Sequence, residues 1–349
     1  MMTTDNNILF YGWDIGGAHL KVACSDKHGQ LQQILQFPCA LWRGIAELNS
    51  AFHAALKQLP LTNNSIHAVT MTGELVDAFA DRQQGVEQIL ATVATILPNT
   101  NTYIFADQGR WLSLQQAAIH WQQVASMNWL ASAHYAATHV TSGLFIDIGS
   151  TTCDIIAFDQ QQVCAQGRTD YQRQRHYELV YSGAIRTPLM SFANAAPLQG
   201  QSIPLAAEWF ASSADIWLLL DELKAEHIQD DSADGQPWSK PHAQQRLARM
   251  LATDANAASD AMWRNVALWF AEKQLQQISD ACLTVLSAHA NLSDSPFIGA
   301  GVGHFIAKRC AQRLAKDYID FSTLCAHNRH AADHAPAAAL ALLAQQQLA

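Results

Sequence analysis

Apolar and polar positions alternate in two rhythms along the chain, and the early rhythm is that of strands. "ILFYGWDI" and "HLKVACSD" are apolar segments on either side of Gly16-Gly17, a dipeptide suited to a hairpin turn. "QLQQILQF" follows as a third strand. From Ile45 to Leu59 the period changes to that of a helix, with Ile45, Leu48, Phe52, Ala55, Leu56 and Leu59 on one stripe and Pro60 at its end. "SIHAVTM" then predicts a strand, Val86 to Leu97 a helix stopped by Pro98, and "TYIFA" another strand. Strands alternating with helices define an α/β layer around a sheet.

Ser113 to Thr141 is Ala-rich, free of Gly and Pro, and predicts one helix. The strand rhythm restarts at "GLFIDIGSTTCDIIAF", a second hairpin, with "QQVCAQG" as a third strand. Helices are predicted over Ala206–Glu226 and Ala243–Ala252, separated by the polar loop "DDSADGQPWSKP", and over Met262–Ala290. "SPFIGAGVGHFIAKRCAQRLA" is a strand, a Gly-rich turn and a helix, and the Ala/Leu/Gln-rich tail from Ala331 is helical. The tryptophan pairs 121/129, 209/217 and 263/269 read as packing residues.

The two hairpins repeat one another. Asp14-Ile15-Gly16-Gly17 lines up with Asp147-Ile148-Gly149-Ser150 at an offset of 133 positions, and Val22 and Ala23 fall on Ile155 and Ile156. Two related halves are the economical explanation; two unrelated turns sharing Asp-Ile-Gly are the other.

An acid ending a buried strand is costly unless it is paired, hydrogen-bonded or turned toward a cleft. Gly in the next turn lets a ligand approach the backbone, and successive exposed N–H groups attract anions. Ser150, Thr151 and Thr152 add hydroxyl donors. Facing turns of this kind would grip a polyphosphate, and Asp14 with Asp147 would hold Mg²⁺. The plainer alternative is that each Gly serves its turn and each Asp caps a neighbouring N–H. A third element, Gly299, Gly301 and Gly303 between a strand and a helix, suits contact with a phosphate or nucleoside but matches the dinucleotide fingerprint poorly.

Composition narrows the partners. Lys+Arg 21 against Asp+Glu 30 leaves a net charge of -9, which argues against a nucleic-acid surface. Hydrophobic residues at 49% with charged residues at 15% allow a large core. The seven cysteines show no C-x-x-C spacing and read as small core residues in a reducing cytoplasm. With "MMTTDNNILFYGWDIGG" running directly into a strand and no bilayer-length apolar run, a soluble cytoplasmic protein without a membrane partner is expected.

The order of hairpin, helix, hairpin and late Gly-Ala-Gly turn resembles the actin/sugar-kinase/Hsp70 (ASKHA) superfamily, and "DIGSTTCD" is similar to the second hairpin of its hydantoinase/oxoprolinase-like branch. More narrowly, "WDIGGAHLK", "MTGELVDAFADRQQGV", "IDIGSTTCDII", "YELVYSGAIRTPL", "SSADIWLLL", "DSADG" and "QQRLARML" resemble, in this order, the (aminomethylfuranyl)methanamine synthase family. His19-Leu20 and Cys153 depart from its pattern.

The resemblance implies an α/β fold of two ribonuclease-H-like domains with a central interdomain cleft. The first would span 1–140, with a tail helix at about 331–349 packing back on it, and the second 141–330 with a helical insertion. It further implies an enzyme that joins an aminomethylfuran methyl diphosphate to a γ-glutamylated phenol and releases pyrophosphate, in methanofuran-type one-carbon metabolism. The implied partners are these small molecules, with a homodimer as an open assembly. Asp14 and Asp147 are then the Mg²⁺ ligands and catalytic carboxylates, and Gly16, Gly17, Gly149, Ser150, Thr151, Thr152, Gly299 and Gly301 the phosphate or substrate contacts. Lys21 adds a point charge or lies on the surface, and Arg186 is a bidentate phosphate ligand or a solvated arginine. Glu74 is the expected base for the phenol, with Asp77 as the alternative; either would otherwise cap a helix. His327, His330 and His334 fall on one helical face at a spacing that suits zinc, yet with fifteen histidines in the chain, chance clustering is the prevailing reading. An ATP-dependent kinase and a nucleotide-binding scaffold of the same fold remain the alternatives.

Overall fold

The computed structural model describes residues 8–60, 64–98 and 101–349, so the stretch 1–7 expected to run into the first strand lies outside them. The chain divides into two compact units. One comprises Met1–Thr141, Phe158–Val163 and Phe321–Ala349; the other comprises Ser142–Ala157 and Cys164–Asp320.

In the first unit, β1 (Leu9–Ile15) and β2 (His19–Asp26) form the expected antiparallel hairpin, extended by β3 (Leu31–Pro38). Helix α1 (Ala46–Leu56) leads to β4 (Ile66–Met71), parallel to β1. Then come α2 (Arg82–Ile96), β5 (Thr102–Ala106) and β6 (Arg110–Ser113), giving the sheet order β3-β2-β1-β4-β5-β6. The single helix expected over Ser113–Thr141 is instead α3 (Leu114–Ile119) and α4 (Asn128–His139). Ser113 ends β6 and starts α3 through a capping box with Gln116, while Ser126, at φ 54, takes a left-handed conformation that interrupts the helix.

The second unit repeats the hairpin as β7 (Gly143–Ile148) and β8 (Cys153–Asp159); β9 (Gln162–Val163), which pairs with β8, lies in the first unit. After α5 (Asp170–Arg175) and β10 (Leu179–Val180), a separate ribbon of β11 (Ala195–Leu198) and β12 (Gln201–Pro204) forms. Next come α6 (Ser213–Leu219), α7 (Lys240–Met250) and α8 (Asp260–Ser287). The helix expected over Ala206–Glu226 is only α6: a capping box between Ser212 and Asp215 sets its start, and Asp221 at φ 67 follows its end. β13 (Phe297–Ala300), α9 (His304–Arg313) and β14 (Tyr318–Asp320) complete the sheet β10-β8-β7-β13-β14. Trp217 and Trp263 are buried in this unit's core, whereas Trp209 and Trp269 are exposed, which corrects their reading as packing residues.

The chain ends with α10 (Phe321–Leu324), α11 (Arg329–Asp333) and α12 (Ala335–Leu348). His334 breaks α11 from α12 and His327 precedes α11 at φ 61, so the three histidines share no continuous helix face. No group of three or more metal-ligating side chains is found among the described residues. Nor is any helix among them long and apolar enough to cross a membrane. None of the seven cysteines forms a disulfide, and six of them are buried.

The position of α12 follows from one residue. Along β1, Tyr11, Trp13 and Ile15 face the core that includes Leu48, Phe52 and Val86 of α1 and α2; Phe10, Gly12 and Asp14 therefore face the other way. A Cβ on Gly12 would stand 2.1 Å from the Ala337 carbonyl oxygen, so α12 lies directly against the strand. The alanines of the helix make that approach sterically available.

Candidate functional site

The first turn is closed by the Gly16 N–H donating to the His19 carbonyl at 3.0 Å, and the second by the Gly149 N–H donating to that of Thr152 at 2.9 Å. These four residues are related by the same 133-position offset found in the sequence. In the first turn no protein acceptor receives the N–H of Gly17 or Ala18; in the second none receives those of Ser150, Thr151 and Thr152, among the described residues. Each turn thus presents consecutive amides, the arrangement that attracts an anion.

Each turn is held from behind. The Leu41 and Cys39 N–H groups donate to Gly17 and Ala18, and that of Thr72 to Ile15 at the end of β1. On the second turn, the N–H of Ala184 donates to Gly149, and those of Ile185 and Arg186 to Ser150. Gly183 makes this possible, since a Cβ there would lie 2.4 Å from the Ser150 carbonyl oxygen. Gly183 was absent from the expected site, although the Ser-Gly pair in "YSGAIRTPL" was the available signal.

Asp14 and Asp147 both end buried strands, as expected. Lys21 pairs with Asp14 in register across the hairpin, its Nζ 3.9 Å from Oδ2, and is about one-quarter exposed. The offset places Asp154 at the position equivalent to Lys21, where Arg173 holds it at 2.5 Å. The Arg186 side chain is half-exposed, 3.9 Å from Asp230.

The Gly-rich turn after β13 is closed by protein atoms. Cβ atoms on Gly299, Gly301 and Gly303 would meet the Tyr318 ring, the Ile148 carbonyl oxygen and the Ile148 side chain at 2.5, 2.3 and 2.6 Å. A Cβ on Gly301, at φ +80, would also come 2.4 Å from Asp147 Oδ1, so this glycine makes room for that carboxylate. Phe305 stacks edge-on against Trp217. The Cβ sides of these three glycines therefore face protein atoms of the same unit.

Glu74 is buried. Its Oε1 accepts from Ser126 Oγ at 2.6 Å and from Arg82 Nη2 at 3.3 Å, and Gly85 admits its backbone. The carboxylate anchors α2 and the segment before α4 rather than facing solvent; Asp77 is exposed. In the second unit, three of the sequence segments meet. Asp215 follows the cap of α6, and Arg246 of α7, fully buried, contacts Asp215 at 2.7 Å and Asp234 of the polar loop at 2.9 Å. Burial raises the Asp215 carboxyl to about 6, against the opposing pull of Arg246.

His67 of β4 accepts from Trp13 Nε1 at 3.1 Å, and burial lowers its ring to about 4. Burial, with Lys21 nearby, lowers His334 to about 3. Both rings are neutral at pH 7.

The sequence model of the hydantoinase/oxoprolinase family matches residues 65–347, and the chain belongs to that family. Its two-sheet α/β fold is shared with a solved structure of low sequence identity. The nucleotide-free acetone carboxylase structure superposes with a TM-score of 0.58 at 10% identity, over 96% of this chain and 69% of that one.

Two particular relatives carry the name (4-{4-[2-(gamma-L-glutamylamino)ethyl]phenoxymethyl}furan-2-yl)methanamine synthase. That of Methanocaldococcus jannaschii is 29% identical over 98% of this chain and 99% of its own length. That of Methanococcus vannielii is 27% identical over 54% of this chain and 83% of its own length. Both are enzymes by name, and an enzyme is the class they support here.

Proposed function

We propose that this chain is an alkyl transferase of methanofuran-type cofactor synthesis, in a cytoplasmic setting. It joins a γ-glutamylated phenol to an aminomethylfuran methyl diphosphate. The bond from the furan methylene carbon to the diphosphate oxygen breaks, and its electron pair leaves with pyrophosphate. The phenol oxygen forms the new carbon–oxygen bond, and its proton passes to an oxygen of the departing pyrophosphate. The furan ring stabilises the developing cation, so the protein's task is to hold the leaving group and bring the phenol near.

The observation that carries this reading is the pair of equivalent turns, each with consecutive unpaired amides after a buried aspartate. In this reading each unit offers its own anion-binding amides, Gly17 in the first and Ser150, Thr151 and Thr152 in the second, with Gly16 and Gly149 shaping the turns. Lys21 and Arg186 add positive charge. The carboxylates of Asp14 and Asp147 suit Mg²⁺, a hard ion that binds a few carboxylate oxygens together with substrate phosphates. When bound, Mg²⁺ would neutralise charge on the leaving group. Glu74, expected as the base, is committed to Arg82 and Ser126, and we assign it to positioning α2.

The test is incubation with Mg²⁺, the furan diphosphate and γ-glutamyltyramine, with mass spectrometry for the aryl ether. Its formation supports the assignment, and unchanged substrates under folded, Mg²⁺-replete conditions refute it.

A further inference from the structure

We propose that Trp42 and Leu75 form an apolar subsite beside the first turn, where the aromatic ring of the diphosphate substrate lies while its phosphate oxygens meet the amides of Gly17 and Ala18. The inference rests on the diphosphate reading above and deepens it by assigning the ring of that substrate to side chains of the first unit.

Two short 3₁₀ turns brace the first hairpin. In Leu41–Arg43, the Leu41 N–H donates to the Gly17 carbonyl at 3.0 Å, just after that of Cys39 donates to Ala18 at 2.9 Å. Gly73–Leu75 follows Thr72, whose N–H donates to the Ile15 carbonyl at 2.9 Å. A Cβ on Gly73 would stand 3.3 Å from the carbonyl oxygens of Ile15 and Gly16, and 2.6 Å from Leu41 Cδ2. The two braces therefore pack on each other as well as on the hairpin. Val76 continues the contact, its Cγ1 2.8 Å from where a Cβ on Gly17 would be.

Each brace buries one residue and exposes the next or the one after it. Leu41, Gly73 and Glu74 are buried, yet Trp42 is 47% exposed and Leu75 44%. Trp42 is one residue, about 3.8 Å, from Leu41, and Leu75 adjoins Val76. Exposed apolar side chains scattered singly are ordinary. Here two large ones stand on segments that touch one glycine, whose N–H, like that of Ala18, meets no protein acceptor among the described residues. The exposed charges on these segments, Arg43 and Asp77, have opposite signs. Attraction for an anion thus comes from the turn, and the braces add apolar surface.

Consecutive unpaired amides suit an anion, and an adjoining indole suits a ring. An aromatic methyl diphosphate satisfies both features at once, whereas inorganic pyrophosphate satisfies only the first.

The test compares benzyl diphosphate with inorganic pyrophosphate, each titrated calorimetrically with Mg²⁺ into the wild-type chain, Trp42→Ala and Leu75→Ala. Trp209→Ala, which removes an exposed indole of the second unit, is the control. We expect the wild type and the control to prefer benzyl diphosphate by at least about tenfold, and Trp42→Ala to lose at least about fivefold of that preference with pyrophosphate affinity unchanged. Leu75→Ala should lose about threefold. Equal affinity for the two probes in the wild type, or a preference that both variants retain, overturns the subsite. So does a dimer, seen by sedimentation, that Trp42→Ala dissociates without altering probe preference, since a second copy then covers the patch. Should Trp42→Ala fail to fold, Leu75→Ala decides alone. Ether formation is measured separately. Its absence alongside a variant-sensitive preference refutes alkyl transfer and keeps the ring subsite, whereas its presence with a variant-insensitive preference does the reverse.

Discussion

Asp14 and Lys21 are register partners across the first hairpin, yet their charged ends stop 3.9 Å apart. The proposed role of Asp14 and Asp147 as Mg²⁺ ligands is tested by substitution. Replacing Asp14 with Asn, or Asp147 with Ala, should lower turnover by at least about a hundredfold. Circular dichroism and the melting temperature should stay near wild type. Full activity in either variant would remove the metal assignment.

Gly183→Ala tests the brace behind the second turn. Its Cβ would stand 2.4 Å from backbone of Ser150, so the turn must shift. We expect a loss of about 1–3 kcal/mol in stability from denaturant melts, together with weaker pyrophosphate binding. Gly12→Ala should cost a similar amount by displacing α12.

Glu74→Gln separates anchoring from acid–base chemistry. Loss of the charge facing Arg82 should destabilise the fold by about 1–3 kcal/mol. Activity per folded molecule, measured well below the melting temperature, should fall by less than about tenfold. A large fall in turnover with unchanged stability would restore Glu74 as the base.

Acid sensitivity should come from buried histidines. His67 binds its proton at about 4 in the folded chain and at an ordinary 6.5 when unfolded, so the unfolded state takes up protons first as pH falls. Its contribution is fully present above pH 6.5 and drops by at most about 3 kcal/mol as pH falls toward 4. Asp215 acts in the opposite sense. Its folded value of about 6 against 3.8 means that stability is lost as pH rises through that window. Stability curves against pH should flatten between 6.5 and 4 in His67→Asn, and an unchanged slope would contradict the assignment.

The hairpins were legible because strand alternation, a Gly turn and a terminal acid are all local signals, and their 133-position repeat survives in the closing hydrogen bonds. The roles of Gly12 and Gly183 were not legible. Each depends on a partner distant in the chain, Ala337 or Ser150. The same limit explains Glu74, whose position after a strand suggested a base while Ser126, far along the chain, claims its carboxylate. Helix lengths failed where a single capping serine or a left-handed residue outweighed an Ala-rich composition. The segments around Asp215, Asp234 and Arg246 carried the family resemblance, and in the fold they make one buried ion cluster.

The most direct measurement is the stoichiometry of pyrophosphate release without any nucleotide. With Mg²⁺, the furan diphosphate and γ-glutamyltyramine, pyrophosphate and aryl ether should appear in equal amounts. Turnover only when ATP is added, with ADP formed and no ether, would show a phosphotransferase in place of the proposed alkyl transferase.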